Sequence, residues 1–171
     1  NQALRLSCPE PGAYAHLHPN DHVNRSQSTN DVYPTALQLA LILRNRVVEE
    51  HLHGLGGALA TLAEEHAETP KLGRTQLRDA VPMLVRDELL AWADGARQGI
   101  VELSAAAGRR LVDVHLGGTA IGTGLGAPSG YARLAVGFLS EESGVALQPA
   151  PRPISATTDP SGLLAYSAAM R

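Results

Sequence analysis

From Val32 onward the chain carries apolar residues at helical intervals: Leu41, Val48, Leu52, Leu55, Leu59 and Leu62 recur three, four and seven positions apart. That is the stripe of a helix buried against other helices, and it predicts one long helix, or two in line, running to about Glu68. Gly54, Gly56 and Gly57 lie inside it. Each glycine weakens a helix interior by roughly 1 kcal/mol, so a kink or break is expected there. Thr69-Pro70 should end the helix, and the polar run from Lys71 to Ala80 reads as a loop. A second helix is predicted from about Val81 to Val112, with Pro82 in its first turn, where no backbone N–H is needed. Its apolar positions include Leu89, Ala93, Ile100, Leu103 and Leu111, with Trp92 as the one large aromatic. A glycine-rich connection, His115 to Gly126, suits close packing or a tight turn and leads to a shorter helix near Ser129 to Ser143. Asp159 is placed to cap a last helix.

Residues 1 to 31 have a different character. They are rich in Pro, Asn, Asp, Ser and His, show no sustained apolar period, and read as loop after a short helix at Gln2 to Leu6. Two regions are therefore expected: a polar, substrate-binding loop region over 1–31 and a central helical domain over 32–171 that is incomplete at its C-terminus. No alternating strand stands out, so the fold class is all-α, a long-helix bundle. Helices of about 30 residues reach roughly 45 Å, too long to hide within a single globule of roughly 16 Å radius of gyration. Helices from several copies sharing one core, in a homo-oligomer, resolve that mismatch.

Composition narrows the partners. Of 171 residues 44% are hydrophobic, and 14 Lys and Arg against 17 Asp and Glu give a net charge of −3 without a basic cluster, which argues against nucleic acid. The longest apolar stretch, Leu37 to Leu43, is too short to cross a bilayer. The chain opens on Asn-Gln-Ala-Leu-Arg, with no initiating Met and no signal-peptide pattern, and reads as an internal piece of a longer cytoplasmic polypeptide. Cys8 is the single cysteine, so no internal disulfide can form.

Two polar segments carry the candidate chemistry. Asp31-Val32-Tyr33-Pro34 and Asp79-Ala80-Val81-Pro82 share the form Asp-x-x-Pro, and each is read as a helix start, with Asp as N-cap and Pro in the first turn. Hydroxyls and amides beside a helix N-terminus suit an anion such as a carboxylate or a developing oxyanion. Such a loop taken alone is ordinarily a capped turn and nothing more. The stretch from His18 to Asp31, however, has only Val23 apolar besides Pro19 and holds far more hydrogen-bonding side chains than a cap requires. A metal site at His18 and His22 is disfavoured because Pro19 opposes a helix through them, and His51 and His53 face different sides of a helix. The glycines of Gly117 to Gly126 lack the preceding strand that a nucleotide fingerprint needs. Neither a metal nor an organic cofactor is expected.

HPNDHVNRSQSTNDVYPTA (His18 to Ala36), KLGRTQLRDAVPM (Lys71 to Met83) and GGTAIGTGL (Gly117 to Leu125) together resemble the central part of the aspartase/class II fumarase family, from Tyr14 to Arg171. The resemblance implies a homotetramer with a central helix bundle and active sites built from three subunits. Fumarases usually read Ser-Ser-Asn-Asp and Gly-Arg-Thr-His where this chain has Ser28-Thr29-Asn30-Asp31 and Gly73-Arg74-Thr75-Gln76, which favours the aspartase side. The implied reaction is the reversible deamination of L-aspartate to fumarate and ammonia through an aci-carboxylate. Fumarate/malate hydration and a catalytically incomplete structural or binding role are the alternatives. By motif, Ser28 and Thr29 would hold the β-carboxylate, and Asn30, Thr75 and Gln76 would surround the amino group, with Thr75 also near the α-carboxylate. His18, Asn20 and Asp21 match a second dicarboxylate site of fumarases; they read equally as a turn in which Pro19 fixes the chain and Asn20 and Asp21 bond backbone. The family's catalytic serine, in a Gly-Ser-Ser loop, has no counterpart in this sequence, so the base must come from sequence beyond it.

Overall fold

In the computed structural model, which describes Tyr14 and residues 17–171, a five-residue π-helical turn at Pro19–Val23 precedes a single 37-residue helix, α1 (Thr29–Glu65). A two-stranded antiparallel ribbon follows, β1 (Pro70–Thr75) and β2 (Arg78–Leu84), and leads into α2 (Val85–Arg110). The remainder comprises β3 (Asp113–Val114), a glycine-rich loop, α3 (Tyr131–Ser143), β4 (Gln148–Pro149), α4 (Pro153–Thr158) and α5 (Ser161–Ala169). β3 and β4 pair in parallel over two residues. The helix expected at Gln2 to Leu6 and the lone Cys8 lie outside the described residues.

The helical reading holds, with three corrections. α1 runs unbroken through Gly54, Gly56 and Gly57. Gly56 is buried and lies against the Ala93 carbonyl of α2, so the propensity loss is offset by close helix approach. The segment 70–84, read as loop and helix start, is a β-ribbon. It offers no period-2 signal because both of its faces are largely exposed, and Pro82 is tolerated because an isolated ribbon consists only of edges. Gly73 sits at a register irregularity between Leu72 and Arg74, where an added Cβ would meet the Val81 carbonyl at 3.3 Å. Trp92, expected to pack, is 55% exposed.

Two apolar clusters bind the elements together. Leu103, Ala106, Ala107 and Leu111 surround Tyr166 of α5, with Leu41, Val48 and Leu52 of α1 packed against them. Val114, Val136, Val145 and Leu147 form the second cluster around β3 and α3. Full burial of side chains such as Leu103 and Leu111 contributes about 1.5–3 kcal/mol each. The Tyr166 hydroxyl donates to Asn45 Oδ1 at 2.9 Å, and Asn45 Nδ2 donates to Glu49 Oε1 at 2.6 Å. Burial, reinforced by the Glu49 charge, pushes the Tyr166 phenol up.

α1 is unusual in what it leaves outside. Its fully buried residues are Asp31, Thr35, Asn45, Gly56 and Ala63, whereas Tyr33, Leu43, Val47, Leu55 and Leu62 are exposed. Of the predicted stripe, Leu41, Val48, Leu52 and Leu59 are half-buried. One face of α1 packs on α2, and a second apolar face has no cover within the described residues.

Candidate functional site

The first polar motif is a helix start with reciprocal capping. Ser28, not Asp31, is the N-cap: its Oγ accepts from the Asn30 N–H at 3.2 Å, while Asp31 Oδ1 accepts from the Ser28 N–H at 2.9 Å. The second Asp31 oxygen reaches across the fold, accepting from the Gly117 and Thr119 N–H groups at 3.1 and 2.8 Å. The side chain is completely buried. A buried carboxylate is tolerable only when donors replace its lost hydration, and three backbone N–H groups do so here. Asp31 therefore clamps the Ser28–Asn30 turn to the glycine-rich loop. Sequence reasoning gave Asp31 a local cap alone; its long-range partners were signalled only by the glycines, which the loop needs for close approach.

Two further bonds fix the same junction. Asn30 Nδ2 donates to the Ala120 carbonyl at 2.7 Å, and the His115 ring donates through Nε2 to the Asn30 carbonyl at 2.9 Å. Because the partner is a carbonyl, Nε2 is the protonated nitrogen of that ring. The expectation of a tight glycine turn is met: Gly122 has φ +86°, and an added Cβ would come within 2.5 Å of Ile154 backbone atoms.

Among the described residues, these bonds leave a specific set of polar groups free, three able to donate and one to accept. The Ser28 hydroxyl proton, the second Asn30 amide hydrogen, Asn30 Oδ1 and the exposed Thr29 side chain stand at the N-terminus of α1, where the helix dipole favours an anion. Hydroxyl donors with one amide oxygen can receive a carboxylate next to an ammonium group.

The second motif is built differently. Thr75 ends β1 opposite Arg78, and Gln76 and Leu77 form the two-residue turn, both in left-handed conformations at φ +50° and +65°. Asp79, expected as an N-cap, lies in β2 and pairs with Arg74 at 3.1 Å; α2 starts later, at Val85, with Leu84 as its N-cap residue, whose N–H donates to Asp87 at 3.4 Å. Thr75, Gln76 and Leu77 are all exposed, Leu77 at 96%.

The two motifs are not brought together within one chain. α1 separates them by about 55 Å at 1.5 Å per residue. A six-residue strand folded straight back along the helix recovers about 20 Å of that. Ser28, Thr29 and Asn30 thus form one constellation, and Thr75 with Gln76 form another.

His18, Asn20 and Asp21 adopt the turn that sequence offered as the second reading, though with different partners. The His18 ring caps it, Nδ1 accepting from the Asn20 and Asp21 N–H groups at 3.2 and 3.1 Å, with Asp21 Oδ2 also 3.2 Å from Nδ1. A nitrogen that accepts those N–H groups carries no proton, so the capped state excludes a His18–Asp21 ion pair. Asn20 Oδ1 accepts from Asn24 Nδ2 at 3.4 Å.

Known proteins align with this chain over nearly its full length. A family model described as "Lyase" matches residues 5–171. Aspartate ammonia-lyases from Pseudomonas canavaninivorans and Escherichia coli K12 are 42% and 40% identical over 100% and 93% of the chain, which spans 36% and 33% of their respective lengths. Among solved structures, a Brucella melitensis protein described as fumarate lyase:delta crystallin, bound to cobalt, superposes with a TM-score of 0.89 at 42% identity, covering 99% of this chain and 37% of that one. A class II fumarase from Schistosoma mansoni superposes with a TM-score of 0.81 at 28% identity, covering 98% and 38%. The chain spans about a third of the length of the relatives it matches. With the family model, the relatives and the shared helical fold in agreement, the chain belongs to the aspartase/fumarase-type lyase family, represented here by the part that carries α1, the β-ribbon and the clamped glycine loop.

Proposed function

We propose that this chain is part of an aspartate ammonia-lyase acting in amino-acid metabolism in the cytoplasm, catalysing the reversible conversion of L-aspartate to fumarate and ammonia. The observation that carries the reading is the separation of two donor sets to opposite ends of α1, which makes each a half-site. A site that holds a four-carbon dicarboxylate then requires Ser28, Thr29 and Asn30 of one copy with Thr75 and Gln76 of another, in a homotetramer bundled through the uncovered apolar face of α1. The exposed, left-handed Gln76-Leu77 turn supports this. Non-glycine residues in that conformation cost about 1–2 kcal/mol each, and such strain persists where function or a docking partner holds it.

In the proposed reaction a base contributed by sequence outside this chain removes a C3 proton, and the electron pair moves into the β-carboxylate as an aci-carboxylate. Ser28 and Thr29 hydroxyls would stabilise that charge more strongly than the ground-state carboxylate, which is the source of rate acceleration. The C2–N bond then breaks, with Asn30, Thr75 and Gln76 around the departing ammonia, and fumarate is left. The His18, Asn20 and Asp21 turn is proposed as a secondary anion-contact region only. Following fumarate formation by its absorbance with the full-length protein tests the reading: turnover of L-aspartate is expected. Malate dehydration without aspartate turnover would transfer the chain to the fumarase branch, and turnover of neither would leave a structural role.

A further inference from the structure

Pro34 stands where α1 needs a donor. The sequence pattern put it in a first turn, where a missing N–H costs nothing, but Ser28 is the N-cap and Thr29 the first helical residue, so Pro34 is the sixth residue of α1. An N–H at that position would meet the Asn30 carbonyl four residues earlier, as interior N–H groups of an α-helix do. Proline has none, so the carbonyl of a half-site residue loses its helical partner. Pro34 removes that one bond only, and the need for an outside donor falls on Asn30 alone.

The donor arrives from the glycine-rich loop, 85 positions away: His115 Nε2 donates to the Asn30 carbonyl at 2.9 Å. The residue is buried, only 4% exposed. Its backbone is fixed on both sides. The Val114 carbonyl accepts from the Ala150 N–H at 2.8 Å, and the His115 carbonyl accepts from the Gly118 N–H at 2.9 Å. The same loop takes the Asn30 side chain, whose Nδ2 donates to the Ala120 carbonyl at 2.7 Å. Asn30 is thus held at two points, its peptide plane by His115 and its amide by Ala120. Holding both fixes the direction in which Asn30 Oδ1 and the remaining amide hydrogen face outward. Nε2 keeps its proton in this neutral tautomer and in the cation alike, so the bond does not depend on titration of the ring.

A donor that replaces a lost helical partner is by itself ordinary packing chemistry. This one is set apart by its acceptor, the carbonyl of the residue placed beside the substrate's amino group. We propose that His115 is a positioning residue for the Ser28–Asn30 half-site: it supplies the donor that Pro34 withholds from the Asn30 carbonyl and so aims the Asn30 amide at the ammonium group of L-aspartate. The aim rests on the lyase reading; the exchange of donors between Pro34 and His115 does not. Fumarate carries no ammonium group, so a misaimed Asn30 weakens L-aspartate more than fumarate.

A double-variant cycle in the full-length protein tests both parts. Pro34→Ala returns an N–H to the helix beneath the Asn30 carbonyl, and His115→Leu removes the outside donor. H115L is expected to raise the KM for L-aspartate about fivefold or more, to leave the inhibition constant of fumarate within about twofold, and to lower the melting temperature by about 2 °C. H115Q, whose amide donates from a similar reach, should stay within about threefold of the parent KM. In the P34A background both losses caused by H115L should shrink to about half or less. No loss in H115L, or a loss undiminished in P34A/H115L, would overturn the proposal. So would a fall in activity that tracks the amount of folded protein with both constants unchanged, which is what a merely structural role gives. If H115L does not fold, P34A/H115L decides: a folded protein near the parent KM supports the exchange of donors, and failure to fold overturns it. A parent that does not turn over L-aspartate would overturn the lyase reading and the aim with it, while the melting-temperature cycle still reads the exchange of donors without substrate.

Discussion

The two halves of the candidate site are made by opposite means. Ser28–Asn30 is locked inside its own chain by a completely buried carboxylate, three backbone donors, an asparagine amide and a histidine ring. Thr75 and Gln76 sit at the tip of a ribbon held by its own ladder, the Arg74–Asp79 contact and, at its base, Lys71 against Glu88 at 2.5 Å. An isolated two-stranded ribbon is marginal in water, and Leu72, Leu77 and Val81 along it are exposed. One half is preformed; the other is held only by the ribbon's own bonds and, under the proposed function, by the copy it would dock against. Stability and activity should therefore respond differently to changes in the two halves.

The largest expected effect is on turnover at the ribbon. Thr75→Val removes a hydroxyl donor from an exposed side chain, so kcat should fall about 10²–10³-fold while unfolding free energy stays within about 0.5 kcal/mol of the parent. A variant that loses both equally would erase the distinction between the halves. The reverse is expected of Asp31→Ala, which strands the Ser28, Gly117 and Thr119 N–H groups in the interior. Denaturant titration should show a loss of about 3–5 kcal/mol. Gly122→Ala should cost about 2–4 kcal/mol, because a Cβ at φ +86° collides with Ile154 backbone. The smallest change is Leu77→Asn, which relieves part of the left-handed strain at a ribbon tip. It should stabilise the ribbon by about 0.5–1 kcal/mol, read as slower amide exchange over 73–78.

The same contrast explains what the sequence revealed. Helix periodicity predicted α1 and α2 because each has a face against the apolar clusters, α3 was placed by the glycine-rich connection before it, and the motif at Ser28–Asn30 was visible as a capped start. The ribbon stayed hidden because strands exposed on both faces have no alternating pattern, and Asp79-Ala80-Val81-Pro82 imitated the helix start at Asp31 without its context. Asp31 itself shows a further limit. Its cap is local and readable, but its bonds to Gly117 and Thr119 span more than 80 positions, and nothing in the spacing announces them. Likewise Leu55 and Leu62 belong to the helical stripe that predicts burial, yet both are exposed, with no cover among the described residues.

Complementation tests most directly whether the halves come from different copies. Full-length Asn30→Ala and Thr75→Val proteins should each be inactive or nearly so, and co-expression should assemble mixed oligomers. If a site takes one half from each of two chains, random mixing leaves both halves intact in about a quarter of sites, and activity should return to about a quarter of the parent level. Mixed oligomers with no activity above that of either variant alone would place both halves in one chain and contradict the shared site.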